Sequence, residues 1–207
     1  MFLFLITALA MAQSKVLVVD TGANLSAPFM CPTGHVDMTG TGFADNVEHG
    51  QIVVNIIAKK LPKGTCIIMF KWTNKREPLG PDDVEAYNKA LMEVIKKETP
   101  VLINMSYAGE APAMEEMAVI DYVINHTAAQ LVIAAGNNKK NLTCTAFPAC
   151  YMPLHPRFHI ATSRYGKSNR GINLTLVEPT TEDERNLLTS GTSFAAAILT
   201  GRLLSKE

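Results

Sequence analysis

Short apolar runs of strand type alternate along this chain with segments of helical spacing, and that alternation restricts the fold class more than any other feature. Residues 15–20 (KVLVVD) are Val-rich and stop at Thr21-Gly22, the pattern of a buried parallel strand closed by a turn. Residues 49–60 carry Ile52, Val53, Ile56 and Ile57 at three- and four-residue spacing and read as a helix. A second strand is expected at 66–72. Pro81-Asp82-Asp83 opens a helix to about residue 97, with acids in its first turn and lysines in its last, as the helix dipole favours. A strand at 101–106, a helix at 113–125 and a strand at 131–135 continue the series. Repeated βαβ units give a mostly parallel sheet with helices on both faces, an α/β fold of three layers, α/β/α. Ligands in such sheets sit beyond the carboxyl ends of the strands. The stretch from 137 to 190 is less regular, with strands expected at 158–162 and 172–177. A last helix begins at Thr192 and runs nearly to the C-terminus.

Composition narrows the function classes. The 207 residues hold 19 Lys+Arg against 19 Asp+Glu, so the chain has no basic field for a phosphate backbone and no polybasic stretch for anionic lipid. Neither nucleic acid nor a membrane surface is expected as a partner. With no repeat or linker visible, residues 13–207 are expected to form one domain. The first twelve residues, MFLFLITALAMA, are an uncharged apolar run ending in small residues, the pattern of a signal peptide cleaved after Ala12. Export to the outside of the cell or to a periplasm would let Cys31, Cys66, Cys144 and Cys150 oxidise, with three pairings open. The preferred pairing is Cys31 with Cys66, joining early strands, and Cys144 with Cys150, flanking a Phe-Pro-Ala turn. No Cys-x-x-Cys pair exists, and no metal site is assigned.

Three reactive residues stand at the mouths of regular elements. Asp20 ends the first strand, His49 opens a helix in Glu48-His49-Gly50, and Ser193 opens the last helix in SGTSFAA. A serine is a weak nucleophile until an imidazole takes its proton, and a buried acid fixes the imidazole's tautomer and stabilises its cation. A helix N-terminus favours developing negative charge at the serine.

These segments, in order, resemble the subtilisin-like serine proteases, whose reactive residues also run Asp, His, Ser. KVLVVDTG resembles the family's Asp strand. Met38 to Gly42 with Asp45, then His49-Gly50 and an apolar helix, is similar to its approach to the catalytic His, and SGTSFAA to its Ser signature. Residues 103–109 (INMSYAG) resemble the strand that pairs with extended substrate, and Ala134-Ala135-Gly136-Asn137 the block that carries the oxyanion Asn. The resemblance implies that Asp20 orients His49, that His49 is general base and then general acid, and that Ser193 attacks the scissile carbonyl. It implies an oxyanion donor at Asn137, whose counterpart costs about 2.7 to 4 kcal/mol when lost from subtilisin. Ser106, Tyr107, Ala108 and Gly109 would bind substrate by β-augmentation. Ala134, Ala135 and Gly136 would line a wall of the S1 pocket, small enough to leave room for a large apolar side chain.

Several positions depart from the family pattern. Gln51-Ile52-Val53-Val54-Asn55 stands where Thr-His-Val-Ala-Gly is usual, and Ala197-Ile198 where Pro-His is usual. The Asp strand follows the apolar N-terminal run directly, so folding would need no pro-domain or would take help in trans. No cofactor is expected; calcium, common among relatives, has no assignable loop here.

Asp20-Thr21-Gly22 also fits the loop of aspartic proteases, but it occurs once and among alternating helices and strands, whereas those sites need two such loops. The expected activity is that of a serine endopeptidase acting on peptide or protein. Its rival is a catalytically silent module of the same fold that binds peptide or a protein partner.

Overall fold

The computed structural model describes residues 13–74, 81–109, 113–139, 146–151, 155–171 and 173–206. The segment read as a signal peptide lies outside them, as does Cys144. Seven strands form one sheet in the order β2-β3-β1-β4-β5-β6-β7, every neighbouring pair parallel. They are β1 (Ser14–Asp20), β2 (Val36–Asp37), β3 (Thr65–Lys71), β4 (Leu102–Met105), β5 (Gln130–Ala134), β6 (Phe158–Thr162) and β7 (Thr175–Leu176). The helices are α1 (His49–Ala58), α2 (Pro81–Glu98), α3 (Met114–His126), α4 (Glu182–Ser190) and α5 (Thr192–Ser205).

The central strands alternate between two cores, as the two-residue side-chain period requires. Leu17 and Val19 of β1, with Ile68, Phe70, Ile103 and Met105, face α2 and α3. Val16 and Val18, with Ile67, Met69 and Val132, face α1 and α5. Both faces are covered, which is why KVLVVD is apolar throughout rather than alternating. In α1 the β-branched Val53, Val54, Ile56 and Ile57 are poor helix formers on their own, and their burial against the sheet and α5 overrides that preference.

Chain order places the site. From β1 the chain crosses through α1 to β3 on one side, then through α2 to β4 on the other, so the winding reverses between β1 and β4. The carboxyl ends of those two strands, at Asp20 and Ser106, flank the crevice where doubly wound sheets bind ligands.

Two expectations change. The strand expected at 172–177 is confined to Thr175–Leu176. The stretch expected to be irregular before Thr192 contains α4, whose N-terminus is closed by Thr181 Oγ1 accepting from Glu184 N–H at 3.1 Å. Thr181 and Glu184 form the Thr-x-x-Glu pattern of a capping box, a local signal that was available in the sequence.

Candidate active site

The first part of the site is the junction of β1 and α1. Asp20 is buried, and its Oδ1 accepts from Thr21 N–H at 2.8 Å and pairs with His49 Nδ1 at 2.8 Å. His49 reaches it because α1 begins directly against the β1 turn. A Cβ on Gly50 would collide with the Gly22 carbonyl and sit 3.1 Å from Asp20 Cβ, so only glycine allows this approach. The residue before the helix, Glu48, is held in the left-handed region at φ 64° and gives α1 no side-chain cap. That part falls to Asp45: its Oδ1 accepts from Val47 and Glu48 N–H, both at 3.0 Å, and its Oδ2 from Gln51 N–H at 2.8 Å. Gln51 Oε1 in turn accepts from Asn24 N–H at 2.7 Å, tying α1 to the loop after β1. Lys71, fully buried at the end of β3, donates from Nζ to the Gly42 and Ala44 carbonyls at 2.7 and 2.8 Å and fixes the loop leading to Asp45.

The second part is the start of α5. Gly191, at φ 152°, joins α4 to α5; a Cβ there would lie 3.0 Å from Asn137 Nδ2. Asn137 Oδ1 accepts from Thr192 N–H at 2.8 Å and from Thr192 Oγ1 at 3.1 Å, which leaves Nδ2 as the donor end of the amide. Ser193 is nearly buried, and its hydroxyl donates to the Ser106 carbonyl at 2.7 Å. Ser106 Oγ lies 2.9 Å from the Ser193 carbonyl and 2.8 Å from Asn104 Oδ1, and Asn104 Nδ2 donates to Thr200 Oγ1 at 2.9 Å. This buried ladder from α5 to β4 escaped the sequence reading. Its signal was there: an asparagine within the otherwise apolar strand LINM and a threonine in an apolar helix. The two parts meet where the His49 ring packs against Phe194, with centroids 5.5 Å apart.

Beside Ser193 lies a cavity of about 270 Å³, bounded by Ala108 and Gly109 on one wall, Ala134, Gly136 and Asn137 on another, and Asn138, Ala146 and Asn169 at its far side. Asn169 spends its amide inside the wall, donating to the Ala135 carbonyl at 2.8 Å and accepting from Asn138 N–H at 3.1 Å. Two expected positions sit differently from the sequence pattern. Ala135 does not line the cavity; its side chain points into the core on the α2 and α3 side, because it is out of phase with Ala134 and Gly136. Gly109 is not an open edge, since its N–H and carbonyl are paired with Phe147 at 2.8 and 2.9 Å; among the described residues the Ser106 to Ala108 stretch has no backbone pairing.

Tyr107 leans the other way, onto α3. Its hydroxyl donates to Glu116 Oε1 at 2.9 Å and receives from Tyr87 at 2.6 Å. Burial raises the Glu116 carboxyl to about 7, against the lowering effect of the Tyr107 hydrogen bond. Burial first, and then the neighbouring Glu116 charge, push both tyrosines well above their ordinary range. Cys31 and Cys66 form the disulfide expected between early strands.

No protein-family model matches the sequence, and no curated protein matches it either. Solved structures do. A lanthipeptide protease superposes with a TM-score of 0.66 at 15% identity, over 92% of this chain and 72% of the other. The chain has the subtilisin-like fold. A cold-adapted subtilisin-like serine proteinase gives 0.63 at 17% identity, over 91% and 72% of the two chains. The nisin leader peptidase NisP of Lactococcus lactis gives 0.64 at 12% identity, over 94% and 77%. In this subtilisin-like fold Asp20 and His49 meet at 2.8 Å at the end of β1, and Ser193 opens α5 with the Asn137 amide and the cavity beside it.

Proposed function

We propose that the chain is an exported serine endopeptidase that cleaves extended peptide segments through an acyl-enzyme. The observation that carries this reading is the 2.8 Å contact of Asp20 Oδ1 with His49 Nδ1, on a ring that also packs against Phe194, the residue next to Ser193. Asp20 holds the proton on Nδ1, so Nε2 is the basic nitrogen. His49 takes the Ser193 proton as Oγ attacks the scissile carbonyl, then passes it to the leaving amine; water repeats the sequence to release the acyl group. The developing oxyanion is received by Asn137 Nδ2 and the Ser193 N–H at the start of α5.

Substrate would lie along the Ser106 to Ala108 edge. The Ser106 carbonyl, which accepts from Ser193 Oγ, would then serve a substrate N–H, and the hydroxyl would turn to His49. The cavity suits an uncharged P1 side chain, because no acid or base stands in its described wall. Similarity to structures named for a lanthipeptide protease and a leader peptidase fits a substrate that is an unfolded segment of a precursor. The Cys31–Cys66 disulfide fits an oxidising compartment.

A fluorophosphonate probe tests the reading. Labelling of the wild type that vanishes in Ser193→Ala is expected; a well-folded wild type that takes no label leaves a peptide-binding module instead.

A further inference from the structure

The Asp20–His49 couple rests on an anchor outside the three reactive residues. Asp20 Oδ2 is buried with no hydrogen-bond partner among the described residues, so the carboxylate is held through Oδ1 alone. Besides His49 the donors near Oδ1 belong to Thr21: its N–H at 2.8 Å and its hydroxyl at 3.3 Å. That hydroxyl has one proton, and Asp45 Oδ1 stands closer, at 2.8 Å. Thr21 Oγ1 also accepts the Gly50 N–H at 3.0 Å, the amide that follows His49. Asp45 therefore takes the Thr21 proton away from Asp20, and through Val47, Glu48 and Gln51 N–H it holds the turn of α1 on which His49 sits.

We infer that Asp45 is a positioning residue for the Asp20–His49 couple, acting through the Thr21 hydroxyl and the first turn of α1; this rests on the serine peptidase reading above. Its carboxylate does two things. It keeps the Thr21 proton off Asp20, so that the Asp20 charge is directed at His49 Nδ1. It also neutralises the positive end of α1 beside the imidazole. Loss of Asp45 lets Thr21 turn its proton to Asp20 Oδ1 and exposes the helix end, and both changes lower the basicity of His49. Among the described residues, charged groups joined to this turn include Glu48, which precedes His49, and Lys71, whose ammonium is held by the Gly42 and Ala44 carbonyls.

Asp45→Asn preserves size, and Asp45→Ala removes the acceptors. The test follows fluorophosphonate labelling against pH, the split of kcat from KM on a peptide, and the titration of His49 by NMR, with a thermal melt of each variant. Asp45→Asn is expected to move the acid limb and the His49 titration to lower pH. Asp45→Ala is expected to add a loss in kcat of roughly 10- to 100-fold at unchanged KM, the scale of a misaligned catalytic group. Both variants titrating His49 at the wild-type midpoint overturn the inference, as does a rate loss that follows melting temperature without a shift of the acid limb. A wild type that takes no label overturns the peptidase reading alone, and the His49 titration still decides on Asp45.

Discussion

The two ends of the site are built differently. At the Asp20–His49 end the contacts are short-range: Asp45 bonds to Gln51 six residues on, Thr21 to Asp45 at a separation of 24, and His49 to Asp20 at 29. At the Ser193 end every important contact spans the domain. Asn137 meets Thr192 at a separation of 55, Ser106 meets Ser193 at 87, and Asn104 meets Thr200 at 96. The first end lies within residues 20–51, braced from β3 by Lys71; the second exists only when β4, β5 and α5 have all packed. A reactive pair can thus be specified by a contiguous stretch of chain, whereas the nucleophile and its oxyanion donor depend on the whole sheet.

If the ends act as one machine, removing either should be equally severe. Ser193→Ala and His49→Ala are each expected to cut kcat by about 10⁶, and the double variant no further, because groups that act as a unit are not additive. Asp20→Asn should cost about 10⁴, by presenting His49 in the wrong tautomer. Peptide turnover of the single and double variants checks this, and losses that multiply would mean the two ends work separately. Asn137→Ala comes next, with a fall in kcat of about 10² to 10³ and little change in KM. Because Asn137 also holds Thr192, unfolding measured in parallel separates the lost oxyanion donor from a loosened helix start.

That contrast also explains what could be read from the sequence. The β1 run, the His-Gly helix start and the SGTSFAA turn are local patterns. They yielded the α/β layers and the positions of β1, β3, β4, β5 and β6 to within a residue, while the short edge strand β2 was not foreseen and β7 is shorter than expected. The Cys31–Cys66 bond was expected between early strands; in the fold Cys66 lies in β3 and Cys31 follows Met30, which bridges to Ile67 of β3. What stayed hidden is what packing alone decides. Ala135 looks equivalent to Ala134, yet the strand's alternation turns it into the opposite core. Gly109 looked like open edge until Phe147 paired with it. Glu116 reads as an ordinary first-turn acid of α3, and only folding buries it beneath Tyr107.

Glu116 gives the comparison a pH axis, since it supports the substrate edge and not the His49 turn. Its carboxyl is raised from 4.5 to about 7 by burial, so the folded state favours the protonated form. The stability this confers is complete below the ordinary carboxylate value and disappears as pH rises through about 7, a loss of about 3 kcal/mol over that window. Asp37 and Glu184, whose carboxyls are lowered by hydrogen bonds to Thr39 and Gly42 and to Thr180, run the opposite way and add stability as pH leaves the acid range. The difference between wild type and Glu116→Gln isolates the one group. Urea unfolding at pH 5 and pH 8 should show wild type losing ground to the variant at the higher pH; equal slopes for both proteins would remove Glu116 from the account.

The smallest expected effect probes the long-range ladder itself. Asn104 Nδ2 donates to Thr200 Oγ1, while Asn104 Oδ1 lies within hydrogen-bond distance of the Ser106 hydroxyl, and all three residues are buried. Thr200→Val keeps the shape and leaves one amide proton unsatisfied, a cost of about 1 to 3 kcal/mol; Asn104→Ala removes the donor to Thr200 Oγ1 and leaves the Ser106 hydroxyl to the Ser193 carbonyl alone, and should cost at least as much. The pair should then couple, so that the double variant loses less than the sum by about 1 kcal/mol. The damage should also reach Ser193, because Asn104, loosened from Thr200 or removed, no longer fixes Ser106, whose carbonyl receives the Ser193 hydroxyl. Labelling at Ser193 should slow in both variants while the His49 titration keeps its wild-type midpoint. A ladder that only fills the core would change the unfolding curve and leave the labelling rate where it was.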